Sequence, residues 1–235
     1  MSNYQIEESS PYPYEFDFEH TALIVIDMQK DFLEAGGFAE ELGNSLQHIR
    51  RPIQPIADLL ALFRSYKGTV FHTRECHLPD LSDCPPSKLK RSKQQGAEIG
   101  RPGKMGRLLI QGEEGNQIID EVKPLPGEPV IDKPGKGAFY KTDFEKQLFD
   151  RNIKQLIITG VTTHVCVHST LREANDRGFD CLVVEDATAA FDKEDHQAAL
   201  HMVSQQGGIF GWTAASQHII QSVTREERDR TIQNV

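Results

Sequence analysis

Three side chains with different acid–base chemistry stand at or just beyond the ends of apolar segments. Asp27 closes TALIVID, Lys133 closes PVIDK, and Cys166 follows QLIITG after a short interval. A carboxylate close to a thiol can take its proton, while a lysine ammonium holds the carboxylate and stabilises the thiolate that forms. Such a thiolate could attack the carbonyl carbon of an amide. These residue types therefore indicate nucleophilic catalysis by Cys166, with Asp27 and Lys133 beside it.

The position of Cys166 in GVTTHVCVHSTLREA favours a reactive thiol. It falls in the first turns of a predicted helix, where the peptide dipoles and a nearby lysine favour the thiolate. Backbone N–H groups in the turn from Thr162 to Cys166 could receive the charge of an oxyanion. The alternative is a buried structural cysteine between Val165 and Val167, because free cysteine is often buried. Cys181, inside a predicted strand, suits that structural role better.

Asp27 and Lys133 also have ordinary structural interpretations. An aspartate after a strand commonly caps the next helix, and a lysine before a glycine-containing loop is commonly solvated. Position favours the catalytic interpretation, because active sites of open parallel sheets lie beyond the carboxyl ends of the strands. Arg74 also follows a predicted strand, so we expect it at the same edge, where it could bind a substrate carboxylate.

Short β-branched runs alternate with helix-like stretches, as expected of βαβ units. The predicted strands are Thr21–Asp27, Thr69–Thr73, Pro129–Asp132, Gln155–Gly160, Cys181–Glu185 and Ile209–Trp212. The predicted helices are Ile53–Tyr66, Lys141–Arg151, His164–Arg177, Glu194–Gln206 and a closing helix. The sequence thus predicts an α/β fold, a three-layer doubly wound (Rossmann-like) sheet of about six parallel strands.

Residues 21–235 are expected to form one domain after an N-terminal arm at 1–20. The arm is expected to be irregular and to pack on a neighbouring subunit through its aromatic residues, Tyr12, Tyr14, Phe16 and Phe18. The stretch at about 77–116 is rich in proline, glycine and charge and lacks clear periodicity. We expect it to form a long excursion at the strand ends, since such segments are more often functional than idle.

Composition excludes several classes of partner. A net charge of −9 argues against nucleic acid and anionic membranes. There is neither an apolar run long enough to span a bilayer nor a secretory signal, so we expect a cytoplasmic protein. The four cysteines form no CxxC pair, and no glycine-rich nucleotide loop follows the first strand. We therefore predict no metal, no cofactor and a small-molecule substrate as partner.

The motifs around these residues resemble those of the isochorismatase-like cysteine hydrolases. The matching stretches are ALIVIDMQKDF, VIDKPGKGAF, ITGVTTHVCVHSTLREANDRGF and VVEDATAA, and the resemblance runs from about Thr21 to Val223. It implies the isochorismatase-like hydrolase fold and Asp27, Lys133 and Cys166 as catalytic residues. It also implies a cis peptide at Val161–Thr162, an oxyanion hole formed by the amides of Thr162 and Cys166, and a homodimer or homotetramer.

Further stretches resemble the branch that contains the biuret and triuret hydrolases. In that branch a lysine three residues past the catalytic lysine binds a substrate carbonyl, which here is Lys136. A late glutamine contacts the substrate amide, and Gln206 stands in the matching place, although a solvent-facing helix end is the alternative. Phe32 and Phe139 could wall the pocket, or could simply belong to the core. The histidines of metal-dependent nicotinamidases have no full counterpart in TRECHLPD, which agrees with the absence of a metal site.

The resulting hypothesis is a cysteine-dependent amidohydrolase that cleaves a carbon–nitrogen bond of biuret or a near ureide through a thioester and releases ammonia. The alternatives are an amidohydrolase of triuret, of an N-carbamoyl amino acid or of ureidoacrylate. A remote alternative is a non-catalytic scaffold of the same fold. Three intact catalytic residues speak against the scaffold.

Overall fold

The computed structural model describes the backbone of residues 3–233 and the side chains of residues 3–228. Ten strands are present in this part of the chain: β1 Tyr4–Ile6, β2 Tyr14–Phe16, β3 Thr21–Ile26, β4 Thr69–Glu75, β5 Pro102–Gly103, β6 Gly106–Arg107, β7 Val130–Lys133, β8 Gln155–Val161, β9 Asp180–Ala189 and β10 Trp212–Ala214. The α-helices of the same part are α1 Lys30–Leu33, α2 Phe38–Glu41, α3 Ile53–Ser65, α4 Pro86–Gln94, α5 Phe144–Asp150, α6 His168–Asp176, α7 Lys193–Gly208 and α8 Ser216–Gln233.

Six strands form one parallel sheet in the order β10-β9-β8-β3-β4-β7. The chain builds one half from β3 through β4 to β7, then returns to β8 and builds the other half outwards. The switch in strand order therefore lies between β3 and β8, where open sheets of this kind place their ligands. The prediction of a doubly wound α/β fold is confirmed. Asp27 and Cys166 lie just beyond the carboxyl ends of β3 and β8, respectively.

The sheet is covered by apolar side chains on both faces, which explains the uninterrupted apolar sequence of β3. Every residue of β3 is buried. Leu23 and Val25 join the core on one face, together with Leu59 and Phe63 of α3. Ala22, Ile24 and Ile26 of β3 face the core on the other side of the sheet. That core also contains buried side chains of α5 and α6, namely Phe144, Leu148, Leu171 and Ala174.

Element boundaries differ from the predicted ones by a few residues. The last strand of the sheet begins at Trp212 rather than Ile209, because the backbone from Gln205 leaves the helical conformation and Gln206 and Gly207 adopt positive φ. The predicted helix at His164–Arg177 begins instead with a π-helical turn, Thr163–Val167, before α6. Such single π turns are rare and have no clear sequence signature.

The N-terminal arm is not irregular, and that expectation is wrong. β1 and β2 form an antiparallel hairpin in which Tyr4 pairs with Phe16. The hairpin packs on its own chain, since Tyr4 lies against Phe18 and Tyr66, and the Phe18 and Tyr66 rings stack 4.5 Å apart. The sequence YEF places aromatic side chains on one face and an acid on the other, which is the period of a strand.

The excursion at 77–116 contains α4, the short β5–β6 ladder and a small apolar cluster of its own. Buried residues of this cluster are Phe38, Cys84, Ala97, Ile99, Leu108 and Leu109. Phe38 belongs to α2, so the cluster joins the excursion to the segment that follows β3. Within the described part of the chain, none of the helices combines the length and apolar character that a bilayer crossing demands.

Candidate active site

Asp27, Lys133 and Cys166 converge beyond the carboxyl ends of β3, β7 and β8. The Lys133 Nζ atom lies 2.8 Å from Asp27 Oδ2, and both side chains are fully buried. Cys166 is 4% exposed, and its Sγ atom lies within 4.8 Å of a carboxylate oxygen of Asp27. The structure thus brings together the three residues that the strand ends predict.

Asp27 does not cap a helix. Its carboxylate accepts a hydrogen bond of 2.6 Å from the Thr73 hydroxyl of the neighbouring strand, and α1 begins only at Lys30. Asp27 itself has φ +50°, in the left-handed region that non-glycine residues rarely adopt. Residues held in such conformations cluster at functional sites, where the surrounding structure supports the strain.

Lys133 is not a solvated loop cation either. Its Nζ atom donates to the carbonyl oxygens of Gly135 at 3.1 Å and Lys136 at 2.9 Å, besides its contact with Asp27. Burial disfavours the charge of Lys133, but the Asp27 carboxylate outweighs this effect and raises the pKa of the ammonium above its ordinary value. Lys133 therefore remains a cation, held in place by two carbonyl acceptors and by its ion pair with Asp27.

Cys166 lies in the π-helical turn that follows the cis peptide Val161–Thr162. Gly160, with φ +104°, permits the approach of β8 to β3 here, because a Cβ atom on it would lie 2.1 Å from the Ile26 carbonyl oxygen. Burial raises the pKa of the Cys166 thiol above its ordinary value, although Lys133 opposes the shift. The nearby lysine thus favours the thiolate, as expected, while burial opposes it.

Glu75, the last residue of β4, is the site residue that the sequence analysis missed. It is fully buried, and its Oε2 atom lies 3.5 Å from Cys166 Sγ. Its Oε1 atom lies 2.7 Å from the Nζ atom of Lys88 in α4 and 2.8 Å from that of Lys136. Burial alone would raise the pKa of Glu75, but these ammonium groups and that of Lys133 hold it well below its usual range.

Arg74 does not belong to the site, and its predicted role is wrong. Successive side chains of a strand point to opposite faces, so Arg74 points away from the face shared by Thr73 and Glu75. Its guanidinium makes two hydrogen bonds, of 2.7 and 2.9 Å, with the carboxylate of Asp132. The position of Arg74 at a strand end indicated the correct edge of the sheet. Because side chains alternate between the two faces of a strand, the residue of β4 that faces Cys166 is Glu75.

A pocket of about 150 Å³ opens onto Cys166. Its walls are mostly apolar, and its polar groups lie around the thiol. The lining residues are Phe32, Phe38, Ala39, Leu42, Glu75, Lys136, Val161, Thr162, Val165, Cys166 and Phe191. Phe32, Thr162 and Lys136 thus lie where the sequence analysis placed them, and the Lys136 side chain is 47% exposed at the mouth.

Phe139 is a core residue rather than a wall of this pocket. Its ring lies 4.9 Å from that of Phe144 and 6.2 Å from that of Phe179, with the Arg177 guanidinium over it at 4.5 Å. It belongs to the apolar cluster beneath α5 and α6. Of the two aromatic residues that we expected in the pocket, Phe32 is there and Phe139 is not.

Gln206 is exposed and does not line the pocket of its own chain. It lies at the far end of α7, which begins at Lys193 after the carboxyl end of β9 and leads back to the start of β10. The helix therefore carries Gln206 towards the opposite edge of the sheet from Cys166. The predicted contact between Gln206 and a substrate is therefore not seen in this pocket.

Asp27, Glu75 and Cys166 offer three possible metal-ligand atoms within 4.8 Å of one another. Cationic groups already lie against both carboxylates, since Lys133 pairs with Asp27 and Lys88 and Lys136 pair with Glu75. An added divalent cation would meet the repulsion of these ammonium groups. The positive charge that a metal would bring to this cluster is supplied here by lysine.

Comparison with known proteins agrees with this geometry. A family model described as the isochorismatase domain matches residues 21–215. The ureidoacrylate amidohydrolase RutB of Cronobacter sakazakii is 32% identical over 212 residues, a match that covers 88% of this chain and 90% of that protein.

Two solved structures are similar in fold. A cysteine hydrolase from Pseudomonas syringae pv. phaseolicola has a TM-score of 0.74 at 23% identity, covering 90% of this chain and 95% of its own. The N-carbamoylsarcosine amidase from Thermoplasma acidophilum has a TM-score of 0.63 at 23% identity, covering 83% and 96%. At these identities the two structures support the fold alone.

Proposed function

Because this chain belongs to the isochorismatase family, we propose that it is a cysteine-dependent amidohydrolase which cleaves a carbon–nitrogen bond of a small ureide. The observation that carries the proposal is the buried convergence of Asp27 and Lys133 with Cys166, whose side chain lines a pocket with mostly apolar walls. A carboxylate, an ammonium and a thiol buried together have little use in a structural core, where charges cost stability.

In the proposed reaction, Cys166 Sγ attacks the substrate carbonyl carbon while Asp27 takes the thiol proton. The amides of Thr162 and Cys166 receive the negative charge that develops on the carbonyl oxygen. The carbon–nitrogen bond then breaks, and the proton held by Asp27 passes to the nitrogen, which leaves as ammonia. Water attacks the remaining acyl-thioester (a thiocarbamate for a ureide) and restores the thiol. Lys133 keeps Asp27 in place throughout.

The pocket favours a small ureide without charge, of which biuret is the leading candidate and triuret a longer one. Among the residues that line it, Lys136 is the one cation, and the Glu75 carboxylate already pairs with it. A substrate carboxylate would therefore find no free positive charge at the thiol. Lys136 retains N–H capacity for a carbonyl oxygen, since an ammonium has three donors.

Ureidoacrylate is a second candidate, supported by the curated relative that carries this activity in its name. It shares the ureido group with biuret but adds a carboxylate, which would have to bind at the exposed mouth near Lys136. An N-carbamoyl amino acid poses the same requirement. The common ureido group is the part of the substrate that the residues around Cys166 would recognise.

Ammonia release from a panel of amides tests this proposal. Purified protein is incubated with biuret, triuret, ureidoacrylate, an N-carbamoyl amino acid and nicotinamide. We expect turnover of one or more ureides, with biuret first. Preference for ureidoacrylate would keep the reaction class and change the substrate, whereas release from none of the ureides would contradict the proposal.

A further inference from the structure

We propose that Glu75 is a substrate-binding residue that accepts the N–H of the nitrogen retained after cleavage, and thereby selects ureides over simple carboxamides. This inference rests on the proposed function and assigns a specificity role to a residue outside the Asp27–Lys133–Cys166 trio. Ureides differ from carboxamides at one place: their carbonyl carbon carries two nitrogens instead of one.

The two oxygens of the Glu75 carboxylate have different surroundings. Oε1 is occupied, since it forms an ion pair with Lys88 Nζ at 2.7 Å and accepts a hydrogen bond from Lys136 Nζ at 2.8 Å. Oε2 has weaker contacts, with Lys136 Nζ at 3.1 Å and with the Cys166 thiol at 3.5 Å. A thiol is a poor donor, so a substrate N–H could replace it at Oε2. The oxygen with remaining acceptor capacity is the one beside the nucleophile.

Glu75 is also held rigidly enough to select a ligand. Its backbone amide donates to the side chain of Gln29 at 2.7 Å, and the Gln29 amide donates back to the Glu75 carbonyl at 3.1 Å. Its side chain is fixed by the two lysines. The carboxylate is ionised at neutral pH, because neighbouring ammonium groups hold its pKa well below the usual range. An ionised carboxylate can accept hydrogen bonds but cannot donate them.

The cysteine sulfur lies near two carboxylates, and each would serve one nitrogen of a ureide. Ligand atoms of Asp27, Glu75 and Cys166 all lie within 4.8 Å of one another. Asp27 returns its proton to the nitrogen that leaves, while Glu75 accepts from the nitrogen that stays. A simple carboxamide carries carbon in place of the second nitrogen, so its binding would shield Oε2 from water without providing a donor. Sites built for a hydrogen bond reject analogues that lack it for this reason.

The test uses a pair of substrates that differ in this one group. Biuret has an N–H between its two carbonyls, and malonamide has CH2 in the same place; for another ureide of the panel, the corresponding CH2 analogue is used. We expect the wild-type protein to prefer biuret in kcat/KM by about tenfold to a hundredfold. Malonamide is also measured as a competitive inhibitor, so that the comparison holds if its turnover is too slow to detect.

Glu75→Gln should abolish most of this preference. Lys88 and Lys136 would attract the amide oxygen of the new side chain and turn its NH2 group towards the substrate, where an acceptor is needed. We expect kcat/KM for biuret to fall about tenfold or more, and that for malonamide to change much less. Asp132→Asn is the matched control, because Asp132 lies on β7 beside Lys133 but pairs with Arg74, away from the pocket.

An equal loss for both substrates in Glu75→Gln, or a wild-type protein without preference, would overturn the role of Glu75. If Glu75→Gln does not fold, as judged by circular dichroism, Lys88→Met is tested instead. This variant should reduce the kcat/KM preference for biuret over malonamide, because Glu75 Oε1 loses the ammonium group that holds the carboxylate in place. Failure of the proposed function looks different, since the wild-type protein would then hydrolyse none of the ureides.

Discussion

Around the Cys166 sulfur, three ammonium groups face two carboxylates. The residues of this cluster are Asp27, Glu75, Lys88, Lys133 and Lys136. Loss of the thiol proton would therefore make the charges of the cluster balance, yet burial raises the pKa of Cys166. In the proposed reaction Asp27 takes this proton, since one of its carboxylate oxygens lies within 4.8 Å of the sulfur.

Lys133→Met should cost stability as well as activity. The substitution leaves the Asp27 carboxylate buried without its cation, and breaking a buried ion pair in this way costs about 3–5 kcal/mol. We expect a corresponding decrease in the free energy of unfolding, measured by urea denaturation, and loss of ammonia release. Lys154→Met, on the exposed surface, is the control and should change stability by less than about 0.5 kcal/mol. An unchanged unfolding free energy in Lys133→Met would contradict the buried pair.

Asp31 should make stability depend on pH. Burial raises its pKa to about 6, against the hydrogen bonds that it accepts from the Leu109 and Phe38 amides. In the unfolded chain an aspartate titrates near its ordinary pKa of about 3.9, so the folded state holds this proton more tightly. The contribution of Asp31 to stability is therefore complete below about pH 4 and is lost as the pH rises to about 6, by on the order of 3 kcal/mol.

Urea denaturation at a series of pH values checks this effect. The wild-type free energy of unfolding should contain a decrease between about pH 4 and 6 that is absent in Asp31→Asn. Asp176→Asn, an exposed substitution on α6, should keep the wild-type profile. Parallel curves for the wild type and Asp31→Asn would show that Asp31 titrates normally.

Sequence reasoning identified three of the groups that stand at strand ends, and it missed Glu75, the last residue of β4, and Lys88 in the excursion. Asp27, Lys133 and Cys166 could be predicted because parallel strands bring their carboxyl ends to one edge. Glu75 could have been found by applying the period of two to β4, which would also have excluded Arg74. Lys88 lies 13 residues further on, in α4 of the excursion, and no local pattern predicts its ion pair with Glu75.

The helix α4 connects the excursion to the active site through the Lys88 side chain, which contacts Glu75. Lys88 of this helix reaches Glu75 Oε1 at 2.7 Å and the Pro134 carbonyl at 2.8 Å. Lys88→Met should loosen the 77–116 segment, which limited proteolysis or hydrogen exchange would detect as faster cleavage or exchange of its amides. Lys90→Met, exposed on the same helix, is the matched control. Equal protection in both variants would mean that the apolar cluster alone holds the excursion.

The contact between β3 and β8 depends on Gly160. A Cβ atom there would lie 2.1 Å from the Ile26 carbonyl oxygen, and the φ of +104° disfavours any L side chain. Gly160→Ala should therefore destabilise the protein by several kcal/mol and displace the turn that carries Cys166. Gly178→Ala, which has a positive φ but open space around its Cβ position, should cost about 1 kcal/mol. Similar denaturation midpoints for the two variants would contradict the close approach.

The elements that could be predicted from the sequence are those with an uninterrupted apolar run or an apolar repeat at helical spacing. β3 is a continuous apolar run, β8 and the first half of β9 each contain a shorter one, and α3 repeats apolar residues at helical spacing. The π-helical turn at Thr163–Val167 has no such pattern, because its geometry is set by the strand before it and the helix after it. The N-terminal hairpin was missed since its strands are only three residues long.

For the whole molecule, the alternation of strands and helices predicted the sheet, while the assembly of copies remains a prediction. The expected homo-oligomer is such a prediction, and analytical ultracentrifugation would measure it. The choice between an enzyme and a non-catalytic scaffold concerns the whole molecule too. A scaffold would gain nothing from burying the charges of Asp27, Glu75 and Lys133 around one thiol.

The most direct measurement compares ammonia release by the wild-type protein and by Cys166→Ser, with the best ureide of the panel. A hydroxyl is a far weaker nucleophile here, so we expect the rate to fall by on the order of a thousandfold or more. Cys181→Ser, a buried cysteine of β9 away from the pocket, should retain turnover once folding is verified by circular dichroism. A Cys166→Ser variant that hydrolyses the ureide within tenfold of the wild-type rate would contradict the assignment of Cys166 as the nucleophile.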